Sequence, residues 1–478
     1  MTDRQAAVRR PTVEKKFGMR LWLTKRPVIT ALVVWFATRT VLYLIATEHL
    51  FHDYGVQSVG DVGIYANWAR QSLYFGHIPN TTEWQYPPLL APILVFPQWL
   101  DHTFGVQYLT GFTAMTFTAD AVITAMLLWT ARRRDSWRGV WYWIVSIPLL
   151  GRGAAARRRD GTPGVELNRR RWLAGVLIGF GTAIKIWPGL TVFGMPRTKR
   201  GWQTIATILV SAAASIGAMS FFFTGTTSWV GNQGGRGIEI ESLWAMPWII
   251  GKRLHLDHVV TQKVVYGSYQ IEPSGHGLTS TLIALTSDAA LVAQVLAFGV
   301  MIYWWWRKAW RPIVVADSTF VATSIFIVTS RVISPQYLIW LLAVGGFCLL
   351  HKDTTQRRST RLVLMSLPLT AFEFPFDFGS YRNVHITAVL IVLVRNLLLV
   401  AATYYGFRDL WVSTVAGPFL TPRVRALLHL RPAPAPAADA AGGLVDVASG
   451  EIGGSAGAGG VDGGDKQAAA EAEVEPAK

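Results

Sequence analysis

An acidic residue stands near the start of a polar, aromatic-rich stretch, GDVGIYANWARQSLYFGHIPNTTEWQYPPLL, which lies between two apolar runs. On a helix that starts near Asp61, Tyr65 and Trp68 follow at i+4 and i+7 and share its face. A carboxylate held within hydrogen-bond reach of a hydroxyl can act as a general base while that oxygen attacks a carbon. Because Asp is also a favoured N-cap, the sequence leaves open both a catalytic base and a helix cap. Asp53 and Glu83 are weaker candidates for the base.

A second polar motif, GNQGGRGIEIESLWAMP, contains a glycine-flanked arginine followed by two acids. Arg236 is a candidate contact for phosphate or sugar, and Glu239 and Glu241 are candidate acceptors for sugar hydroxyls. A solvated charged turn explains the same pattern equally well. Downstream, SLWAMPWIIGKRL predicts an amphipathic helix at a membrane interface.

Further cationic and amide side chains suit the binding of a phosphate leaving group. In SRVISPQYLIW, Arg331 and Gln336 stand between two apolar segments, and the planar fork of a guanidinium matches a phosphate. The alternative is an arginine that snorkels to lipid headgroups. Lys185 lies in the apolar segment AIKIWP, and His385 precedes the last apolar run. A lone histidine is more often structural than a ligand.

The composition predicts a polytopic membrane protein. Of 478 residues, 51% are hydrophobic and 15% are charged, against about 25% charged in soluble domains. The net charge of +16 comes from arginines and lysines in short runs between apolar segments, as in membrane orientation signals. Since no recognition motif accompanies this charge, no nucleic-acid partner is expected. The single cysteine excludes an internal disulfide. No P-loop, GxGxxG or HExxH motif occurs, so no cofactor is required, although a divalent metal stays open.

The apolar segments predict an all-α protein with roughly nine to twelve transmembrane helices. Predicted spans cover residues 28–47, 106–131, 204–224, 278–306, 313–333, 335–350, 362–376 and 386–405. Residues 87–100 are short and proline-rich, which suits a re-entrant or interfacial segment. Residues 172–196 have basic residues on both flanks, so we expect a hairpin of two half-helices with Lys185 at its outward tip.

Charge distribution also predicts the organisation of the chain. Residues 1–26 form a basic cytoplasmic segment, residues 27–407 the transmembrane domain, and residues 408–478 a cytoplasmic, mostly disordered tail rich in Ala, Gly and Pro. This orientation places the three polar motifs together outside the cytoplasm. Ionisable residues inside the spans are costly unless paired, and we expect pairs such as Arg39 with Asp120. The other ionisable residues in spans are Asp288, Asp317, Glu373 and Arg395.

The motifs in this order resemble glycosyltransferase family 87, the polyprenol-phosphate-mannose-dependent mannosyltransferases of the GT-C superfamily. The likeness rests on the Asp with its Tyr and Trp-Ala, the WQYPPL, AIKIWP, RGIEIES and SPQYLIW segments, and covers roughly residues 26–407. It implies a GT-C fold in the plasma membrane with an extracytoplasmic site. It also implies Asp61 as general base, a polyprenyl-phosphate sugar donor, an inverting reaction and an acceptor that is a cell-envelope glycolipid or glycan. No metal is required by that scheme.

The sequence departs from the family pattern in two places, and two alternative functions compete with the mannosyltransferase interpretation. Residues 151–171 are short and arginine-rich where the family usually has a further helix, and Gln336 lies in a segment where some members carry histidines. An arabinofuranosyltransferase of the same fold is one rival, and a flippase or transporter of lipid-linked sugars is the other. A transporter is expected to show repeated halves and ionisable groups near the membrane midplane. Since this chain shows no repeat and concentrates its ionisable groups in outer loops, the sequence favours transfer.

Overall fold

A computed structural model describes most of the chain between residues 27 and 416. The described residues are 27–46, 49–50, 52–79, 84–149, 171–234, 236–255, 260–265, 268–273 and 277–416. The side chains of residues 46, 52–61, 233–234, 260–261 and 265 lie outside this description. All described residues fall within a compact unit that ends at Leu420, and they are mostly helical.

The α-helices are numbered here in chain order. Those in the first half of the chain are α1 Pro27–Ala46, α2 His52–Gln71, α3 Ala91–Phe104, α4 Tyr108–Arg134, α5 Arg138–Leu149, α6 Arg171–Ile184, α7 Lys199–Met219 and α8 Ser228–Gly234. Those in the second half are α9 Met246–Arg253, α10 Leu278–Arg307, α11 Ile313–Thr329, α12 Leu338–Leu349, α13 Arg357–Ala371, α14 Phe378–Arg382 and α15 Ile386–Trp411.

Shorter helical turns join several of these helices. The 3₁₀ helices are Leu73–Phe75, Pro88–Leu90, Trp187–Gly194, Leu243–Ala245 and Pro335–Tyr337, and the π turns are Phe372–Phe376 and Val412–Ala416. Prolines at the first or second position of three of the 3₁₀ helices explain their starts, since a missing N–H is harmless there.

Five helices of the described chain are long and apolar enough to cross a membrane. They cover Pro27–Ile45, Tyr108–Arg134, Lys199–Met219, Leu278–Arg307 and Ile386–Ala416. Three further apolar helices are shorter, with 10–17 residues: Arg171–Ile184, Ile313–Thr329 and Pro335–Leu349. The helical, membrane-compatible character predicted from the sequence is therefore confirmed, whereas several predicted spans are short helices.

The predicted hairpin of half-helices is present between residues 171 and 196. Helix α6 stops at Ile184, and Trp187–Gly194 folds back along it as a 3₁₀ helix, so that Gly181 packs on Pro188 and Ile178 on Met195. Helix α7 then runs parallel to α6, because Gly175 packs on Thr207 and Gly179 on Ser211. Both ends of the hairpin therefore lie at one end of the helix bundle, and Lys185 lies at the other.

A three-stranded antiparallel sheet departs from the all-α prediction. Its strands are β1 Ile238–Glu239, β2 Val260–Val265 and β3 Ser268–Pro273, in the order β1-β3-β2, with Glu239 opposite Gln270. The sequence VVTQKVVYGSYQIEP holds the cue, since a run rich in valine and the alternating segment SYQIEP lie on either side of a Tyr-Gly dipeptide. The predicted helix in SLWAMPWIIGKRL is confirmed as Leu243–Ala245 and α9, with Met246 and Ile249 buried.

The predicted pairing of Arg39 with Asp120 is confirmed. Arg39 Nε lies 2.8 Å from Asp120 Oδ2, and both side chains are buried. The indole nitrogens of Trp35 and Trp143 donate to the same carboxylate at 2.7 and 3.0 Å, and Arg39 Nη1 donates to Ile144 O at 2.8 Å. This satisfied ion pair joins α1, α4 and α5, which makes its role structural.

Two helix boundaries differ from those predicted from the sequence. Helix α2 begins at His52, nine residues before Asp61, so position 61 is inside a helix and the N-cap interpretation is wrong. Gly residues within the stretch did not stop the helix, because α2 packs on α1, α3 and α4. The last long helix continues to Trp411, past the predicted domain boundary at 407, and Thr414 Oγ1 accepts a hydrogen bond from Trp304 Nε1 at 2.9 Å.

Candidate functional site

A cavity of about 450 Å³, here called the polar pocket, lies where the three polar motifs meet. It is lined by side chains from α2, α8, α10, β3 and the WQYPP, KIW, RGIE and RVISPQY segments. Seven of the residues predicted from the sequence line it: Tyr65, Trp68, Lys185, Arg236, Glu239, Arg331 and Gln336. These residues are far apart in the chain, so it is the fold that brings them together.

Aromatic side chains form much of the pocket wall. The rings of Tyr65, Trp68 and Tyr86 lie 5.7 to 6.3 Å apart, and Tyr65 Oη lies 3.3 Å from Tyr86 Oη. On the other side, Trp340 stacks on Tyr337 at 4.3 Å and on Trp187 at 5.9 Å. Flat apolar faces with polar edges suit a ligand that combines ring carbons with hydroxyls.

Lys185 presents its ammonium among these rings. Lys185 Nζ lies 4.8 Å from the ring centroid of Tyr86, 5.3 Å from that of Tyr337 and 5.1 Å from that of Trp340. Cation–π attraction stabilises the charge at the pocket wall, where the hairpin turns. The break after Ile184 is what brings this lysine to the pocket.

Two arginines complete the cationic side of the pocket. Arg331 Nη1 donates to Ser287 Oγ at 2.8 Å, and Arg236 Nη2 donates to Ser268 Oγ at 3.5 Å. Arg236 Nε is buried and has no hydrogen-bond partner among the described residues. With Lys185, the described pocket lining therefore holds three cations against the single carboxylate of Glu239. This balance favours an anionic ligand.

The two acids of the second motif occupy different places. Glu239, on β1, lines the pocket, and its backbone N–H donates to Arg331 O at 3.0 Å, which joins the second and third motifs. Glu241 is buried behind the pocket. Burial, and next to it the Glu373 carboxyl, raise the pKa of Glu241 well above its ordinary value. This shift favours the protonated form of Glu241, and Glu241 is not among the residues that line the pocket.

The remaining predicted site residues differ in their surroundings. His385 is exposed before α15, does not line the pocket, and has a backbone N–H that donates to Ser380 O at 2.9 Å. The Asp61 side chain lies outside the described residues. Asp61 lies on α2, four residues before Tyr65 and seven before Trp68, a spacing that puts the three positions on one face of the helix.

Sequence reasoning missed several lining residues and one supporting group. Gln85, Trp229 and Gln294 line the pocket, and only Gln85 belongs to a motif that the sequence singled out. Arg395 and Glu373 were recognised as buried ionisable residues but not as neighbours of Glu241. Their contact joins positions more than 130 residues apart, and no local pattern reports such a distance.

An apolar groove of about 700 Å³ lies beside the polar pocket. It is lined by residues of Leu243–Ala245, α9 and α10: Leu243, Trp244, Met246, Pro247, Trp248, Ile250, Leu282, Leu285, Thr286 and Ala289. The next residues along α10, Ala290 and Leu291, line the pocket. Trp244 Nε1 donates a hydrogen bond to the carbonyl oxygen of Thr329, a residue that lines the pocket, at 3.1 Å. The groove and the pocket therefore lie next to each other along α10.

Comparison with protein families, with curated proteins and with solved structures gave no match. Among the described residues, no group of three or more His, Cys, Asp or Glu side chains is arranged to hold a metal ion.

Proposed function

We propose that the chain is a membrane-embedded glycosyltransferase with a GT-C fold. It transfers a sugar, with mannose as the first choice, from a polyprenyl-phosphate donor to a cell-envelope glycolipid or glycan on the extracytoplasmic side of the plasma membrane. The observation that carries the proposal is the convergence of Lys185, Arg236 and Arg331 in one aromatic-walled pocket. The family resemblance of the same motifs supports it.

The charge of the pocket suits the phosphate of such a donor. As the sugar leaves, negative charge develops on the phosphate, and preorganised cations stabilise that charge more than they stabilise the ground state. Arg331 is held by Ser287, and Arg236 offers a buried N–H without a partner among the described residues. A guanidinium fork and an ammonium are the usual protein ligands of phosphate oxygens.

The apolar groove suits the lipid of the donor. Arg331, on the cationic side of the pocket, donates a hydrogen bond to Ser287, and Ser287 directly follows the groove residue Thr286. The groove therefore adjoins that side of the pocket. A phosphate bound between Arg331 and Lys185 can therefore have its hydrocarbon chain in the groove and its sugar among the aromatic rings. This arrangement matches a substrate with a polar head and a long apolar tail.

The proposed reaction is an inverting displacement at the anomeric carbon. The acceptor hydroxyl oxygen forms a bond to C1 while the bond from C1 to the phosphate oxygen breaks. The hydroxyl proton passes to the Asp61 carboxylate, and polyprenyl phosphate leaves toward the pocket cations. Glu239 accepts hydrogen bonds from sugar hydroxyls, and Tyr65 and Trp68 contact the acceptor. No metal is needed for these steps.

A transfer assay tests this proposal. The protein is reconstituted in lipid nanodiscs with polyprenyl-phosphate donors carrying mannose, glucose or arabinofuranose, and with membrane glycolipids as acceptors. We expect transfer from the mannosyl donor, and transfer from the arabinosyl donor alone would identify the rival pentose transferase. Movement of the donor across a vesicle bilayer without any transfer would instead identify a flippase, and inactivity in both assays would reject the proposal.

A substitution at Asp61 tests its assignment as the general base. Asp61→Asn removes the proton acceptor with little change in shape, so we expect transfer to fall by at least 10²-fold, as for loss of a general base. Asp53→Asn, on the same helix, is the matched control and should stay active. Retained turnover in Asp61→Asn would refute the role of Asp61 while leaving the pocket assignment intact.

A further inference from the structure

A buried group of charged side chains lies directly behind the polar pocket. It consists of Glu241, Glu373 on the π turn and Arg395 on α15, and it is called here the buried cluster. Arg395 Nη1 lies 3.8 Å from Glu373 Oε2, and both side chains are fully buried. Neither the proposed reaction nor the pocket lining uses these groups, although charged residues are rarely buried without a role.

The charges of the buried cluster balance only if one carboxyl is neutral. One guanidinium can compensate one carboxylate, and burial, together with the nearby Glu373 and Glu239 carboxyls, raises the pKa of Glu241 and so favours its protonated form. The other groups that face Glu241 are Glu239 on β1 and Tyr381 on α14.

The buried cluster holds the backbone that carries Glu239. Arg395 Nη2 and Asn396 Nδ2 donate to Glu241 O at 2.7 and 3.4 Å, and Tyr381 Oη donates to Ile240 O at 2.6 Å. On the pocket side, Glu239 N donates to Arg331 O at 3.0 Å. Residues 239–241 are thus fixed from both sides, by α14 and α15 behind and by the third motif in front.

We propose that Arg395 and Glu373 are positioning residues that fix the Glu239 carboxylate in the polar pocket. Arg395 acts through the carbonyl of Glu241, and Glu373 orients Arg395. Since Glu239 is the only carboxylate among the described lining residues, its placement sets where a sugar hydroxyl can be held opposite the cations. The functional meaning rests on the proposed sugar transfer, whereas the geometric claim can be tested without it.

The geometric test measures the electrostatic potential in the pocket with a reporter cysteine. Ser268 lines the pocket on β3, two residues before Gln270, which is the register partner of Glu239. In Ser268→Cys protein, the labelling rates of cationic aminoethyl and anionic sulfonatoethyl methanethiosulfonate are compared. The native Cys348 is buried and serves as an unreactive background, checked in protein without the reporter.

Removing the carboxylate calibrates the measurement. Glu239→Gln should lower the cationic-to-anionic rate ratio by about tenfold, the order expected for loss of one nearby charge. Arg395→Gln and Glu373→Gln should shift the ratio at least threefold in the same direction if they position Glu239. Glu241→Gln keeps the backbone carbonyl that accepts from Arg395 and changes a side chain that does not line the pocket, so it should leave the ratio unchanged. Asp120→Asn breaks a buried ion pair elsewhere and is the control for general destabilisation.

The outcomes separate the two proposals. An unchanged ratio in folded Arg395→Gln and Glu373→Gln protein, with a shifted ratio in Glu239→Gln, would overturn the positioning role. A shift in Asp120→Asn would overturn it too, because the effect would then be general. In the transfer assay, Glu373→Gln should raise the KM for the sugar substrate as Glu239→Gln does. If the reporter protein shows the ratio shifts but protein with the native Ser268 transfers no sugar, the positioning role stands and the enzyme proposal is rejected.

Discussion

Two cationic side chains of the polar pocket lie at points where a helix ends. Lys185 lies at a helix break, and its ammonium faces three aromatic rings within 5.3 Å. Arg331 follows the end of α11 and is held by Ser287. Both cations are therefore ordered before a ligand arrives, which reduces the entropy lost on binding.

Loss of either cation should weaken use of the donor more than use of the acceptor. In Lys185→Ala and Arg331→Ala protein we expect the KM for the polyprenyl-phosphate donor to rise by about tenfold or more, because a charge-assisted hydrogen bond to phosphate is lost. The KM for the acceptor should change little. Arg382→Ala, at an exposed arginine outside the pocket, is the matched control. Equal effects on donor and acceptor would argue against phosphate binding by these residues.

Lys308 provides a pH test of folding at the opposite end of the bundle. Its ammonium is buried against Trp304 and Trp305 and donates to Phe193 O. Burial, and then the nearby Arg197, lower the pKa of Lys308 from an ordinary value of 10.5 to about 7. Between these two values the unfolded chain binds more protons than the folded one, so the free energy of unfolding rises with pH.

We therefore expect the unfolding temperature in detergent to rise between pH 7 and about pH 9.5, with a smaller slope in Lys308→Met protein. Lys199→Met replaces an exposed lysine near the same end of the bundle and should keep the native slope. If Lys308→Met shows the full native slope, the lysine is not the titrating group.

Pairs of helices pack closely wherever glycines face a neighbour. A Cβ added to Gly179 on α6 would lie 2.5 Å from Ile208 O on α7 and would also overlap Ser211. Small residues allow such close approach between helices. Gly217, on α7, has open space where its Cβ would be.

Gly179→Ala should thus destabilise the protein by about 1–3 kcal/mol through overpacking. Gly217→Ala should be neutral or stabilising by about 0.5–1 kcal/mol, because alanine is the better helix former. Thermal unfolding in a fixed detergent measures both. Similar shifts in the two variants would show that helix propensity, and not the α6–α7 contact, decides the result.

Among the elements of the fold, those marked in the sequence by apolar segments and by isolated charges could be predicted. The broken hairpin follows from Lys185 and Pro188 between basic flanks, and the Arg39–Asp120 pair follows from two lone charges in apolar runs. The small sheet was missed, because its strands lie in a loop assigned by polarity alone. The start of α2 at His52 was missed because its glycines and polar residues oppose a helix locally, and packing decides in its favour.

In the whole molecule, a polar pocket and an apolar groove open beside helices that suit a membrane. The three motifs of the pocket could be found from the sequence, because each combines charge with aromatic residues. The groove could not, since Leu282, Leu285 and Trp248 look like any other apolar residues until α9 and α10 meet. Long-range contact is the missing information in both the groove and the buried cluster.

The groove predicts a dependence on the length of the donor lipid. Ala289→Trp fills the groove next to the pocket, so we expect use of a long polyprenyl-phosphate donor to fall at least tenfold, while a donor with a short isoprenoid chain is affected less. Leu296→Trp, on an exposed face of α10 outside the groove, is the matched control. A loss that is equal for long and short donors would show that the lipid does not bind there.

Helix α10 has 30 residues, and only 11% of its most apolar window is buried by the rest of the chain. It is about 45 Å long, whereas a bilayer core measures about 30 Å, so in a membrane this helix either extends past the core or leans away from the bilayer normal. Its first turns form one wall of the groove, so any change of its inclination with bilayer thickness moves that wall. We therefore expect the thickness of the surrounding membrane to change the width of the groove opening through which a lipid would enter.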